Sequence, residues 1–201
     1  STAVGKHIMA RAAETVKKVF LELGGKSANI ILDDADLGSS LLSALSVCFH
    51  AGQGCALNTR LLVPRDKQAE VEELLTTYFG FIQYGDPASE SDIMGPQVNA
   101  RQRERVLAYI EKGKAEGARL LLGGGTPAKL EKGFYVEPTV FMDVSNDMTI
   151  AREEIFGPVL CVIAHDGDDD AVRIANDSEF GLSGSVCPFT ASRSESYRST
   201  S

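Results

Sequence analysis

Residues 51–58 read AGQGCALN and set Cys55 among Gly52, Gly54 and Ala56. A thiol with so little side-chain bulk around it can be reached by a substrate, and backbone N–H groups beside glycine can approach a substrate oxygen closely. Its chemistry would be nucleophilic attack on a carbonyl carbon by the thiolate. Read without context, a free cysteine is more often a small buried hydrophobe, and Cys48, Cys161 and Cys187 take that reading. His50, five residues upstream, suggests a Cys–His pair, but proximity in sequence is poor evidence of proximity in space, and it is read as structural.

Two further stretches carry carboxylates in suggestive settings. In LELGGKS, Gly24 and Gly25 let the backbone turn sharply after an apolar run, which would leave Glu22 at a strand end, where open α/β sheets place their chemistry. The competing reading is a surface glutamate before a turn. A phosphate-binding loop is rejected, because its first glycine would fall at Phe20. In EEIFGPV, Glu153 and Glu154 precede Phe156 and a Gly157-Pro158 turn into an apolar run. A carboxylate accepts two hydrogen bonds at once and so suits paired ribose hydroxyls. A capped turn with one packed phenylalanine explains the same letters.

These residues need a scaffold. Val4, Ile8 and Ala12 recur at helical spacing over 1–14, with Ser1 or Thr2 available as cap. The apolar runs 16–21 and 28–32 read as strands separated by the Gly24-Gly25 break. Asp36 caps a helix carrying Leu37, Leu41, Leu45 and Cys48 that stops at Gly52. A strand at 61–64 leads to a helix opened by Asp66, and a long helix spans 99–116. Strands at 119–122, 140–142 and 159–164 follow, with an acidic-capped helix over 168–175. The alternation predicts an α/β fold, with a largely parallel sheet and helices on its faces.

Bulk properties narrow the partners. The net charge of −8 over 201 residues, without a basic patch, excludes a nucleic-acid backbone or an anionic membrane as the main partner. Four cysteines without a C-x-x-C pair indicate no metal site and no disulfide framework, which fits a reducing, cytoplasmic setting. No apolar run is long enough to span a bilayer, and with no charged-then-apolar leader pattern in these residues, secretion is not expected.

In order and spacing, LELGGK, GQGC and EEIFGPV resemble the NAD(P)-dependent aldehyde dehydrogenase superfamily. STAVG at 1–5, Gly95-Pro96, GFYVEP at 133–138 and FGLSGSV at 180–186 resemble it as well. The resemblance implies the family's catalytic domain, with a Rossmann-like, mostly parallel sheet. It also implies that Cys55 is the nucleophile, forming a thiohemiacetal and then a thioester, and that Glu22 is the general base for the hydrolytic water. The cofactor is then NAD or NADP, with Glu154 and Phe156 at the nicotinamide ribose and ring and Leu23 and Gly24 beside them. Ser1 would start a helix facing the pyrophosphate. Backbone amides and the adjacent cofactor charge would lower the Cys55 pKa. Because base and nucleophile act in successive steps, they need not touch.

The resemblance divides the chain into 1–23, a remnant of the coenzyme-binding domain, 24–186, the catalytic domain, and 187–201, a Ser/Arg-rich disordered or non-family tail. The fold is expected to be truncated at both ends, a fragment lacking the upstream asparagine of the oxyanion site. Losing one such donor costs about 10²-fold or more. The substrate is expected to be a small aldehyde, and family members form homo-oligomers. Two other readings stand beside dehydrogenase chemistry: a cofactor-independent thiol esterase using Cys55 and Glu22, and an inactive fragment whose sheet edges await partners.

Overall fold

The computed structural model describes residues 1–187, so the tail expected beyond Cys187 lies outside the described residues. After helix α1 (Thr2–Ala13) the chain runs without regular structure to β1 (Ser27–Ile31). A short α2 (Leu37–Ser40) continues into a 3-10 segment, Leu41–Gly52, which leads to β2 (Asn58–Pro64) and α3 (Gln68–Gly80). Helix α4 (Ala100–Ala115), β3 (Arg119–Leu122), β4 (Thr139–Met142), α5 (Thr149–Arg152), β5 (Val159–His165), α6 (Asp168–Asn176) and β6 (Gly184–Cys187) complete the order. The six strands lie as β3-β4-β5-β2-β1-β6, all parallel except β3, which pairs antiparallel with β4.

Alternation along each central strand fills two apolar layers. Ile31, Leu61, Val63 and Val162 pack on one face with Leu41, Val47 and Cys48 of the 3-10 segment and Val71 and Leu75 of α3. Ile30, Leu62, Cys161 and Ile163 pack on the other with Val106 and Ile110 of α4, Ile150 of α5 and Ile174 of α6. Among the described residues no helix is long and apolar enough to cross a membrane.

Three expectations are corrected. The run 16–21 is not a strand: Val16 has φ +52°, and Val16 and Phe20 are 92% and 93% exposed, so this run has no layer to pack against. Leu21 and Leu23 lie instead against α1, where a Cβ at Gly5 would come 2.8 Å from Leu23 Cδ1. The helix expected from Asp36 tightens to 3-10 geometry and breaks before its end, with Phe49 extended and His50, Ala51 and Gly52 at positive φ. Strand β6, placed in no strand by its short serine-containing sequence, forms because β1 offers it a parallel edge.

Helix α5 is too short to hold by propensity, and its anchor is Glu116 at the C-cap of α4. Glu116 accepts the Thr149 N–H at 2.7 Å and the Thr149 hydroxyl at 2.6 Å, and the hydroxyl contact is the main reason its carboxyl lies below the usual glutamate range. A carboxyl whose folded pKa is depressed contributes stability above its unfolded value, and that contribution is lost as pH falls through the folded value. Glu116→Gln is therefore expected to lower the urea midpoint at neutral pH, with the deficit shrinking as pH drops below about 4. A deficit independent of pH would show that the carboxylate charge contributes nothing to docking α5.

Candidate active site

The loops that carry Glu22, Cys55 and Glu154 all enter strands: Lys26 precedes β1, Cys55 precedes β2 and Gly157-Pro158 precedes β5. The candidate site thus sits at the amino ends of parallel strands. This reverses the placement expected for Glu22, which followed from the strand that does not form.

The turn before Cys55 is built by close backbone approach. Gly52, at φ +73°, lies so near Gly157 and Pro158 that an added Cβ would overlap the Gly157 carbonyl. Gln97 donates its amide to the Ala51 carbonyl at 2.8 Å, and Gln53 accepts the Val98 N–H at 2.9 Å while donating to the His50 carbonyl at 3.0 Å. His50 therefore serves through its backbone. The thiol left on this turn is partly exposed, whereas Cys48 and Cys161 are fully buried and burial pushes the Cys48 thiol up to about 12.

Glu22 is itself exposed, and its carboxylate lies near enough to the Cys55 thiol to act on its ionisation. The carboxylate holds the Cys55 pKa above its ordinary value; partial burial adds to the rise, while the N–H groups of Cys55 and Ala56 pull the other way. A neighbouring carboxylate disfavours the thiolate, and two neutral amides do not offset it. The two amides lower the Cys55 pKa as expected, but beside Glu22 the net direction is upward.

Glu154 lies directly over Gly24 and accepts the Gly25 N–H at 3.2 Å, while a Cβ on Gly25 would stand 2.7 Å from the Cys55 carbonyl oxygen. At Gly25 a side chain would meet backbone, and at Gly24 it would displace the Glu154 carboxylate, so the two glycines let the LELGGK segment lie between the two other loops. Phe156, at φ +61°, is 36% exposed two residues beyond Glu154. Three side chains of α4 hold the Glu153–Phe156 stretch from behind. Gln102 donates to the Phe156 carbonyl at 2.7 Å, Arg105 to the Glu154 carbonyl at 2.7 Å, and the Tyr109 hydroxyl to the Glu153 carboxylate at 2.6 Å.

The structure thus brings Glu22, Cys55, Gly24 and Glu154 into one constellation and sets Leu23 against Gly5. Ser1 keeps to its own helix, its hydroxyl accepting the Val4 N–H at 3.5 Å, one turn from the Gly5–Leu23 contact. Sequence reasoning missed the α4 side chains, whose spacing of three and four residues marks a helical face without revealing its partner. It also passed over Lys26 and Arg60, both 2% exposed. Burial holds the Lys26 ammonium below the usual lysine value, and its Nζ finds no hydrogen-bond acceptor among the described residues.

The fold places the chain among open α/β proteins with one antiparallel edge strand. Residues 1–200 match the aldehyde dehydrogenase family, and the chain belongs to that family. The match takes in residues 187–200, which composition had set apart as a tail. The chain is 48% identical over 201 residues to a betaine aldehyde dehydrogenase of Brucella anthropi and 49% identical over 200 residues to one of Rhizobium etli. Each comparison covers 98% of this chain and 41% of the relative, so the chain spans about two-fifths of those proteins. Among solved structures, a Mycobacterium tuberculosis aldehyde dehydrogenase complexed with NAD+ superposes with a TM-score of 0.96 at 46% identity, over 99% of this chain and 41% of that one. A mutant of Pseudomonas syringae aldehyde dehydrogenase C, complexed with NAD+ and octanal, gives 0.94 at 46% identity over 97% and 41%.

Proposed function

We propose that this chain carries the nucleophile and general base of an NAD(P)+-dependent oxidation of an aldehyde to a carboxylic acid. The observation that carries the reading is the meeting of the three loops, with Gly25 packed on the Cys55 carbonyl and donating to Glu154, and with Glu22 near enough to the thiol to raise its pKa. Cys55 loses its proton to Glu22 and adds through sulfur to the aldehyde carbon, giving a thiohemiacetal whose oxygen faces the Cys55 and Ala56 N–H groups. Glu22 releases that proton to solvent, and once the thioester has formed, its carboxylate takes a proton from water as that water attacks the acyl carbon, and Cys55 leaves as the thiolate.

The residues present fit a nicotinamide cofactor. Glu154 offers a carboxylate held in place by Gly25, Gly24 leaves room above the backbone, and Phe156 presents a half-open ring. Glu154 would hold the ribose hydroxyls, Phe156, Leu23 and Gly24 would flank the nicotinamide, and the Ser1 end of α1 would face the pyrophosphate. When bound, NAD(P)+ supplies the acceptor for the aldehyde hydride. Family membership and the NAD+ complexes among similar structures support this choice.

The Cys55–Glu22 pair lies wholly within this chain, which favours thiol esterase chemistry as the second reading. Betaine aldehyde and octanal, taken from the names of similar proteins, are the first substrates to test. Growth of NAD(P)H absorbance with aldehyde supports the dehydrogenase. Cleavage of an activated ester without cofactor, and no NAD(P)H from any aldehyde, would leave only the esterase.

A further inference from the structure

We propose that Tyr109 of α4 is a positioning residue for Glu154: by binding Glu153 and supporting Arg105, it turns the Glu154 carboxylate onto Gly24 and Gly25, the place proposed for the cofactor ribose. The inference rests on the role given to Glu154 in the reading above. The Tyr109 hydroxyl donates to the Glu153 carboxylate at 2.6 Å and accepts from Arg105 Nη2 at 3.5 Å. The Arg105 guanidinium stands over the Tyr109 ring, 5.3 Å from its centroid, and its Nη2 donates to the Glu154 carbonyl at 2.7 Å.

These contacts end on Glu154 itself. Glu153 leaves α5 with an extended backbone, φ −107° and ψ 148°, and along such a backbone successive side chains point to opposite sides. With Glu153 bound to α4, the Glu154 side chain is sent the other way, and there its Oε1 accepts the Gly25 N–H at 3.2 Å. A Cβ on Gly24 would overlap the same carboxylate, so it lies directly on that glycine. Arg105 holds the carbonyl of Glu154 and Gly25 holds its carboxylate, which fixes the residue at both ends.

Packing alone asks only for the ring. Tyr109 packs at the edge of the layer that contains Val106 and Ile110, and a phenylalanine would fill the same place. The hydroxyl adds a donor for a carboxylate and an acceptor for a guanidinium. It keeps its proton, because burial first, and then the hydrogen bond to Glu153, push it up to about 12. Glu153 and Arg105 are exposed, and polar contacts between exposed groups contribute little to stability. Their effect is on where Glu154 points and not on whether the chain folds, which separates a positioning role from a structural one.

Gly25 is buried and its N–H has the Glu154 carboxylate as acceptor, so its exchange with solvent reports where Glu154 lies. The test is amide exchange of Gly25 in this chain, followed by NMR, with NAD+ affinity measured by calorimetry. Glu154→Ala is expected to speed Gly25 exchange several-fold and to weaken NAD+ binding. Tyr109→Phe, which keeps the ring, is expected to do both and to add nothing in the Glu154→Ala background, with the Leu61 and Leu62 amides of β2 unchanged. The proposal is overturned if Glu154→Ala speeds Gly25 exchange while Tyr109→Phe leaves it alone. It is equally overturned if the two effects add, or if the β2 amides speed up in step, since that is general loosening. If Arg105→Met weakens NAD+ binding further in the Glu154→Ala background, Arg105 acts on the cofactor itself and the proposal falls. A Gly25 amide that does not respond to Glu154→Ala overturns the contact on which the proposal stands. If Gly25 responds as expected but NAD+ does not bind the parent, or binds Glu154→Ala as tightly, the cofactor role of Glu154 fails and takes the proposal with it. Should Tyr109→Phe lose its melting transition, Glu153→Ala removes the acceptor instead of the donor and carries the same outcomes.

Discussion

Replacing Cys55 with alanine is expected to abolish acylation of the chain by an activated ester while leaving its melting temperature within about a degree of the parent. The thiol is partly exposed on a turn held by backbone contacts, so its loss leaves no cavity in the core. Cys48 and Cys161 are fully buried, and burial raises both thiols, so neither substitutes as nucleophile; Cys187, half-buried at the sheet edge, is also pushed up by burial. Intact-mass analysis is then expected to find one adduct on the parent and none on Cys55→Ala. In an assay of aldehyde turnover the same change is expected to cost about 10⁴-fold or more, the scale of losing a covalent nucleophile. An adduct that persists on Cys55→Ala would move the nucleophile elsewhere.

The second large effect is on stability and comes from Gly52→Ala. At φ +73° an alanine is strained by about 1 to 2 kcal/mol, and its Cβ would overlap the Gly157 carbonyl, backbone that cannot swing aside as a flexible side chain can. Together these cost about 3 kcal/mol or more, which for a chain of this size lowers the melting temperature by about 6 to 12 °C. Gly80→Ala is the control, since a Cβ at Gly80 meets nothing within 4 Å and alanine favours the helix. Equal melting temperatures for the two variants would mean that the 52 turn does not require its left-handed backbone.

The sequence alone was most readable where burial is periodic or continuous. An unbroken apolar run needs no partner to be recognised: Leu61, Leu62 and Val63 are all fully buried, as their character predicts for a central parallel strand. The same logic misread 16–21, because Val16 and Phe20 look like core residues but face solvent. Residue types made Cys55, Glu22 and Glu154 candidates beside equally ordinary readings, and the family resemblance was what assigned them roles. Neither could reveal that Glu22 lies near Cys55, far away in the chain, or that the candidate site lies at the amino ends of the strands. That placement follows from which loop precedes which strand. Lys26 and Arg60 were hidden because charged letters read as surface, and the acceptors at 26, 146, 174 and 175 are what make burial of Arg60 tolerable.

The arginine has a consequence for how the molecule opens. Its acceptors come from the segment before β1, the loop after β4 and the last turn of α6, so releasing any one of them leaves a desolvated donor among the others. Fraying of α6 is thus coupled to loss of order around Lys26, far away in the chain. The two regions should exchange their amide protons as one cooperative unit, with common protection.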